Sequence, residues 1–269
     1  MKSPYLNKVL ITGATSGIGA ASAKLFAENG FTVYAIARTV KEHTQNLKNG
    51  SIIYYKADVT DINSLKAVRE KIPELGIIIN CAGFGVSGSA ELIGQKKAKA
   101  QMETNYFGVL NTNEVFLPLL RENKLSLVLI TGSVAGLISI PYQSHYSSSK
   151  YALEAYTEAL RMEGRKFGIR ACIVEPGDTK TGFTAMRTHD EPSGSPYFEE
   201  CTKAVKAMEI SENKGKPPIT VAKVFLKQSK RKNPAVRRAI GFDYKFFTLL
   251  KRILPAKFVE KILTKMYLF

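Results

Sequence analysis

An apolar run, Lys-Val-Leu-Ile-Thr at 8–12, leads directly into Thr12-Gly13-Ala14-Thr15-Ser16-Gly17-Ile18-Gly19. Glycines let the backbone turn sharply and let another group approach it closely. Where such a turn joins a strand to a helix, the helix N-terminus offers free N–H groups and a partial positive charge, a cradle for phosphate. A glycine pattern alone carries little weight; the strand-turn-helix setting gives it force. The helix is expected over 16–29 and is ended by Gly30.

The same rhythm continues along the chain. Short apolar strands are expected at 31–37, 51–56, 77–81, 125–131 and 169–175, with a last one at 235–240. Helices are expected at 64–72, 96–120, 147–166 and 199–208. Near-continuous apolar strands alternating with helices predict an α/β fold, a parallel sheet covered on both faces. With 269 residues, 45% of them hydrophobic, the chain suffices for one core. We expect a single-domain, doubly wound Rossmann fold over 1–241. Residues 178–218, rich in Gly, Pro, Ser and charge, break the rhythm and are expected to form a lid. Residues 242–269 would be a basic, amphipathic helical extension.

Composition excludes several classes. Three cysteines cannot build a disulfide framework, and the Cys/His spacings of a zinc site are missing, so no metal is expected. Cys81 reads as an apolar filler rather than a nucleophile. The first residues lack the apolar core of a signal peptide, and no run of apolar residues is long enough to span a bilayer. A cytoplasmic location is the expectation. The formal charge is +16, and 13 Lys/Arg against 2 Asp/Glu between 223 and 269 account for +11 of it.

Two further features carry chemistry. After the second strand comes Ala37-Arg38-Thr39, where enzymes using NAD usually place an acid to hold the ribose hydroxyl. Arg38 instead supplies a guanidinium suited to a 2′-phosphate, with Ser16 as a second donor, which favours NADP(H). The alternative for Arg38 is a solvated loop charge. Tyr146-Ser147-Ser148-Ser149-Lys150 places two side chains on one helix face. A lysine ammonium near a phenol favours the phenolate, bringing a group with a pKa of about 10 nearer general acid–base range. Many surface helices carry this spacing by chance.

The motifs do not stand alone. TGATSGIG at 12–19, Asp58-Val59, Asn80-Cys81-Ala82-Gly83, Asn105 in METNYFG, Ser133 in ITGSVAG, YSSSK at 146–150 and Pro176-Gly177 with Thr181 follow in order. Over residues 7–182 this resembles the short-chain dehydrogenase/reductase family, and the layout is similar to the branch holding 17β-hydroxysteroid and retinol dehydrogenases. The resemblance implies that Ser133 holds the substrate carbonyl toward Tyr146, the proton donor. It implies that Lys150 binds the nicotinamide ribose and lowers the tyrosine pKa, while Asn105 holds a water leading to solvent. It assigns Gly13, Thr15, Ser16, Gly17, Ile18, Gly19, Arg38, Asp58, Val59, Asn80, Ala82, Gly83, Pro176, Gly177, Thr179 and Thr181 to the dinucleotide, with Tyr146 and Lys150. Taken singly, Asn105 reads as a helix residue, Ser133 as a turn hydroxyl and Asp58 as a cap.

Phe84, Tyr142 and Phe183, with Ser133 and Tyr146, are the expected substrate contacts. Their apolar neighbours suit a lipophilic alcohol or ketone, plausibly a hydroxysteroid. A reductase of acyl-chain carbonyls is the alternative, and a non-catalytic NADP-binding sensor a third. The resemblance implies a homodimer or homotetramer. Apolar stripes at Phe246, Phe247, Leu249, Leu250, Ile253 and Leu254, then at Phe258, Val259, Ile262, Leu263 and Met266, either pack on the domain or lie on a membrane surface. Nucleic-acid binding is not expected, since no recognition motif accompanies the charge.

Overall fold

A computed structural model describes residues 2–241 together with 244, 246, 251 and 253–268. Its centre is a sheet in which seven strands run parallel: β1 (Lys8–Thr12), β2 (Thr32–Ala37), β4 (Ser51–Lys56), β5 (Ile77–Asn80), β7 (Ser126–Thr131), β8 (Ile169–Pro176) and β10 (Arg237–Ile240). An eighth, β3 (His43–Asn46), pairs antiparallel with β4 at one edge. The order is β10-β8-β7-β5-β1-β2-β4-β3.

Period-two alternation sends neighbours on one strand to opposite layers. Val9 and Ile11 pack with Phe26 of α1 (Gly17–Glu28) and Phe225 of α8 (Ile219–Ser229). Leu10 packs on the other face with Leu65 of α2 (Ile62–Arg69), Phe116 of α4 (Gly108–Arg121) and Leu153 of α5 (Ser144–Glu163). The fold is the expected doubly wound α/β sheet. From β1 the chain adds strands in one direction through β2 and β4, then in the other through β5, β7 and β8. Such a reversal opens a crevice at the carboxyl ends of β1 and β5, where doubly wound sheets bind ligands.

The differences from the sequence reading have local causes. The helix expected over 96–120 is two: α3 (Gln95–Met102) and α4, joined by a π-helical turn at Glu103–Phe107. Asn105 sits in that turn, and π turns often occur at functional positions. α5 begins at Ser144, so Tyr146 lies in its first turn. β3 was not expected because its four exposed residues, His-Thr-Gln-Asn, carry no apolar pattern. α8 was not expected because β-branched residues blur its period, although Pro217-Pro218 marks its start.

The expected lid is largely ordered structure. It holds α6 (Phe183–Met186), β9 (Thr188–His189) and α7 (Phe198–Asn213), and β9 pairs with β6 (Val86–Ser87). In the extension a helix spans Ala256–Tyr267. Of the expected stripe residues, Phe247, Leu249 and Leu250 lie outside the described residues. Among the described residues no helix is long and apolar enough to cross a membrane.

Candidate active site

The crevice is closed from below by backbone contacts. Gly13 adopts φ +64°, and a Cβ there would come within 2.9 Å of Ala82. A Cβ on Gly19 would lie 2.2 Å from the Gly13 carbonyl oxygen, so only glycine lets α1 start this close to the turn. Thr12 Oγ1 accepts hydrogen bonds from the Cys81 and Ala82 N–H groups at 3.1 and 3.2 Å, tying the end of β1 to the loop after β5. Ser16 precedes α1 without its side chain capping the helix.

On the other side β7 ends at Thr131, and Ser133 caps the short turn Val134–Gly136 by accepting from Ala135 N–H at 3.1 Å. Gly136 presses this turn on α5: a Cβ there would meet the Lys150 backbone at 2.9 Å. The contact brings Ser133 beside Tyr146, close enough for the serine hydroxyl to favour the phenolate. Lys150 Nζ donates to the Thr131 carbonyl at 2.9 Å and stands 5.8 Å above the Tyr146 ring. Phe183 closes on the ring, with centroids 5.5 Å apart.

A cavity of about 230 Å³ joins these parts. Gly13, Ser16, Gly17, Ile18, Gly19, Ala82, Gly83, Phe84, Ser133, Tyr146, Lys150, Pro176, Gly177, Thr179, Thr181 and Phe183 line it, sixteen of the positions named from sequence. The others lie elsewhere. Thr15 is exposed, and so is Arg38, at the end of β2. Asp58 Oδ1 accepts from both the N–H and the hydroxyl of Thr60, the turn-capping role open to it. Val59 is buried, and its carbonyl takes the Asn111 amide. Asn80 is buried and donates to Asn113, so it braces the interior beneath the cavity rather than lining it.

Two of the expected residues make contacts that the sequence reading did not include. Tyr142, at φ +58°, hydrogen-bonds Glu200 and lies outside the cavity, tying its loop to α7. Asn105 is fully buried, and its side chain is spent on the loop after β5: it accepts from Phe84 N–H and donates to the Phe84 carbonyl, both at 3.0 Å, and to Ser149 Oγ at 3.2 Å. That side chain positions Gly83 and Phe84.

The electrostatics also depart from expectation. Burial pushes the Tyr146 phenol up to about 12; the Ser133 hydroxyl pulls it down, Glu212 raises it and Arg187 lowers it. Burial brings Lys150 down to about 8. The ammonium is aimed at the Thr131 carbonyl, and loss of hydration dominates both groups. The protein's own residues therefore keep the phenol protonated. Burial also raises the Cys81 thiol to about 12, consistent with an inert filler.

The cavity also takes residues that no motif singled out: Glu212, from the expected lid, and Tyr244 and Tyr267, from the expected extension. Glu212, at the end of α7, pairs with Arg187, whose side chain is fully buried, and accepts from Thr184 Oγ1 at 2.6 Å. The apolar lining is thus interrupted by a held carboxylate. No local pattern announces these residues, because all three arrive through tertiary packing. Among the described residues no acidic, His or Cys cluster could hold a metal.

A family model described as short chain dehydrogenase matches residues 7–192. This chain belongs to the short chain dehydrogenase family. It is 37% identical over 239 residues to a 3-ketodihydrosphingosine reductase of Bacteroides thetaiotaomicron, covering 87% of each chain. It is 28% identical over 248 residues to human 17-beta-hydroxysteroid dehydrogenase type 1, covering 85% of this chain and 76% of that one. Among solved structures, a Burkholderia phymatum short chain dehydrogenase/reductase in complex with NAD superposes with a TM-score of 0.78, 20% identity and coverage of 94% and 95%. A Burkholderia cenocepacia short chain dehydrogenase in complex with NADP gives 0.74, 21%, and 97% of each chain. The family is one of oxidoreductases.

One turn beyond Lys150, buried Glu154 lies beside Glu175, with Arg237 Nε at 3.3 Å. Burial, then the Glu175 charge, raise Glu154. A carboxyl held above its ordinary value binds a proton in the folded state that the unfolded chain has released. Stability is therefore full below the ordinary carboxylate range and falls as pH rises through it toward the raised value. Urea midpoints measured from about pH 5 to about pH 8 should fall, by at most about 1.4 kcal/mol per pH unit for one proton. Glu154→Gln should flatten that slope; an unchanged slope would show that another group carries it.

Proposed function

We propose that this protein reduces a ketone carried on a lipid chain, using NADPH, with Tyr146 as the proton donor. The placing of Ser133 beside Tyr146 carries the reading, because both line the same cavity as the glycine turn and the Pro176–Thr181 segment. Free N–H groups at the start of α1, and two glycines that no Cβ could replace, suit the pyrophosphate of a dinucleotide. Arg38, exposed and in no ion pair among the described residues, can meet a 2′-phosphate. When bound, the cofactor supplies the hydride.

The residues do the rest. Ser133 orients the carbonyl oxygen, and Tyr146 delivers its proton to that oxygen as negative charge develops. A phenol kept protonated by burial is loaded for reduction at neutral pH. Lys150 supplies a positive charge beside the ring and holds the ribose. Phe84, Ile140, Phe183 and Met186 accept an aliphatic chain, and Glu212 faces a polar or amino group next to the ketone. The Bacteroides relative, named for a long-chain amino ketone, agrees with that pairing of apolar wall and carboxylate. Oxidoreduction of a hydroxysteroid is the second reading, favoured by the human relative. A cofactor sensor without turnover leaves the assembled Ser133, Tyr146 and Lys150 without a purpose.

Assays with NADPH should show turnover of 3-ketodihydrosphingosine faster than of 17-keto steroids; the opposite order would move the assignment to steroids. Tyr146→Phe should lower kcat at least about a hundredfold with cofactor binding retained, and full activity would remove the mechanism. Arg38→Asp should lower kcat/KM for NADPH at least about tenfold without lowering that for NADH. Equal losses with both would remove the 2′-phosphate reading.

A further inference from the structure

The cavity has a wall from the chain's last residues. The Tyr244 ring packs so close to Gly177 that no Cβ would fit there. Its hydroxyl donates to Asp178 Oδ2 at 2.7 Å and accepts from Asp178 N–H at 3.2 Å. Lys251 reaches the Leu137 carbonyl and the Tyr151 hydroxyl. Tyr267, from the C-terminal helix, lines the same cavity, and that helix packs against α7. The extension is thus folded against the domain on one side, at the mouth of the site.

Its other side is built differently. Val259, Ile262, Leu263 and Tyr267 are half-buried, while Lys257, Phe258, Lys261, Lys265 and Met266 are exposed. Lys257, Lys261 and Lys265 repeat every fourth residue and share a face. Phe258 and Met266 are each 52% exposed beside them, and Ile253 is 71% exposed. The helix already buries one apolar side, so packing does not account for a second. Met186, which lines the cavity, is 56% exposed.

We propose that the outer side of the C-terminal helix docks this protein on an anionic lipid surface, with the mouth of the cavity beside the bilayer. A helix bearing lysines beside large apolar side chains, too short to span, lies in the headgroup region with the apolar groups inserted and the ammonium groups at the phosphates. Charge complementarity selects the occupant. The extension's 6 Lys/Arg against 2 Asp/Glu favour an anionic surface, and Phe258, Ile253 and Met266 favour one with an apolar interior over a nucleic acid. The docking stands on the helix alone; the value of placing the mouth there rests on the lipid-ketone reading.

Co-sedimentation of the full chain with phosphatidylcholine vesicles, with and without phosphatidylglycerol, tests this. At low salt we expect at least about tenfold tighter binding to the anionic vesicles. The triple variant Lys257→Glu, Lys261→Glu, Lys265→Glu should lose at least about tenfold of that binding. It should also turn over vesicle-borne ketone more slowly, with turnover of a water-soluble ketone and thermal unfolding unchanged. Equal binding to both vesicle types, no binding, or undiminished binding by the triple variant would overturn the docking. Turnover of a soluble ketone without vesicle binding would refute docking alone; vesicle binding without turnover of any ketone would refute the reductase reading alone.

Discussion

The approach of the turn after β7 to α5 at Gly136 governs the site, because it brings Ser133 and Tyr146 together. From there contacts run back across the carboxyl edge of the sheet. Lys150 bonds the Thr131 carbonyl, the Thr131 hydroxyl bonds Cys81 Sγ at 3.2 Å, and the Cys81 N–H bonds Thr12. Three strands and one helix are thereby held in register by small residues and backbone groups. A wider separation at Gly136 would leave the glycine turn intact yet part the two hydroxyls.

The same packing that aligns the hydroxyls removes water from them. Burial favours the neutral form of both partners in the Tyr146–Lys150 pair, raising the phenol and lowering the ammonium. In the proposed reduction this suits a proton donor, since the proton would be retained until charge develops on the substrate oxygen. The carboxyl groups around the site are themselves tied: Glu212 by Arg187 and Thr184, and Glu154 by Glu175 and Arg237.

What the sequence revealed follows from how local each constraint is. Gly13 and Gly19 are legible because backbone geometry excludes other residues there. Tyr146 and Lys150 are legible because four residues make one helical turn, and their apolar strands because alternation survives in any buried sheet. Asn105 was singled out through its motif, but the π turn that carries it depends on packing rather than on residue preference. Asn80 reads as a ligand contact from its motif and Tyr142 from its apolar segment; their side chains turn inward to Asn113 and across to Glu200. Glu212, Tyr244 and Tyr267 reach the cavity from distant segments, and a pKa set by burial has no signature in a tetrad of residues.

The state of the Tyr146 proton can be read directly. Phenolate absorbance of the ligand-free wild type minus that of Tyr146→Phe, followed upward from neutrality, isolates this one group. If burial governs the site, the two titrations coincide through the range where an ordinary tyrosine ionises, and a difference emerges only toward about 12. A phenolate step near neutrality, present in the wild type and missing in the variant, would contradict the account and return to Lys150 the role of lowering the tyrosine.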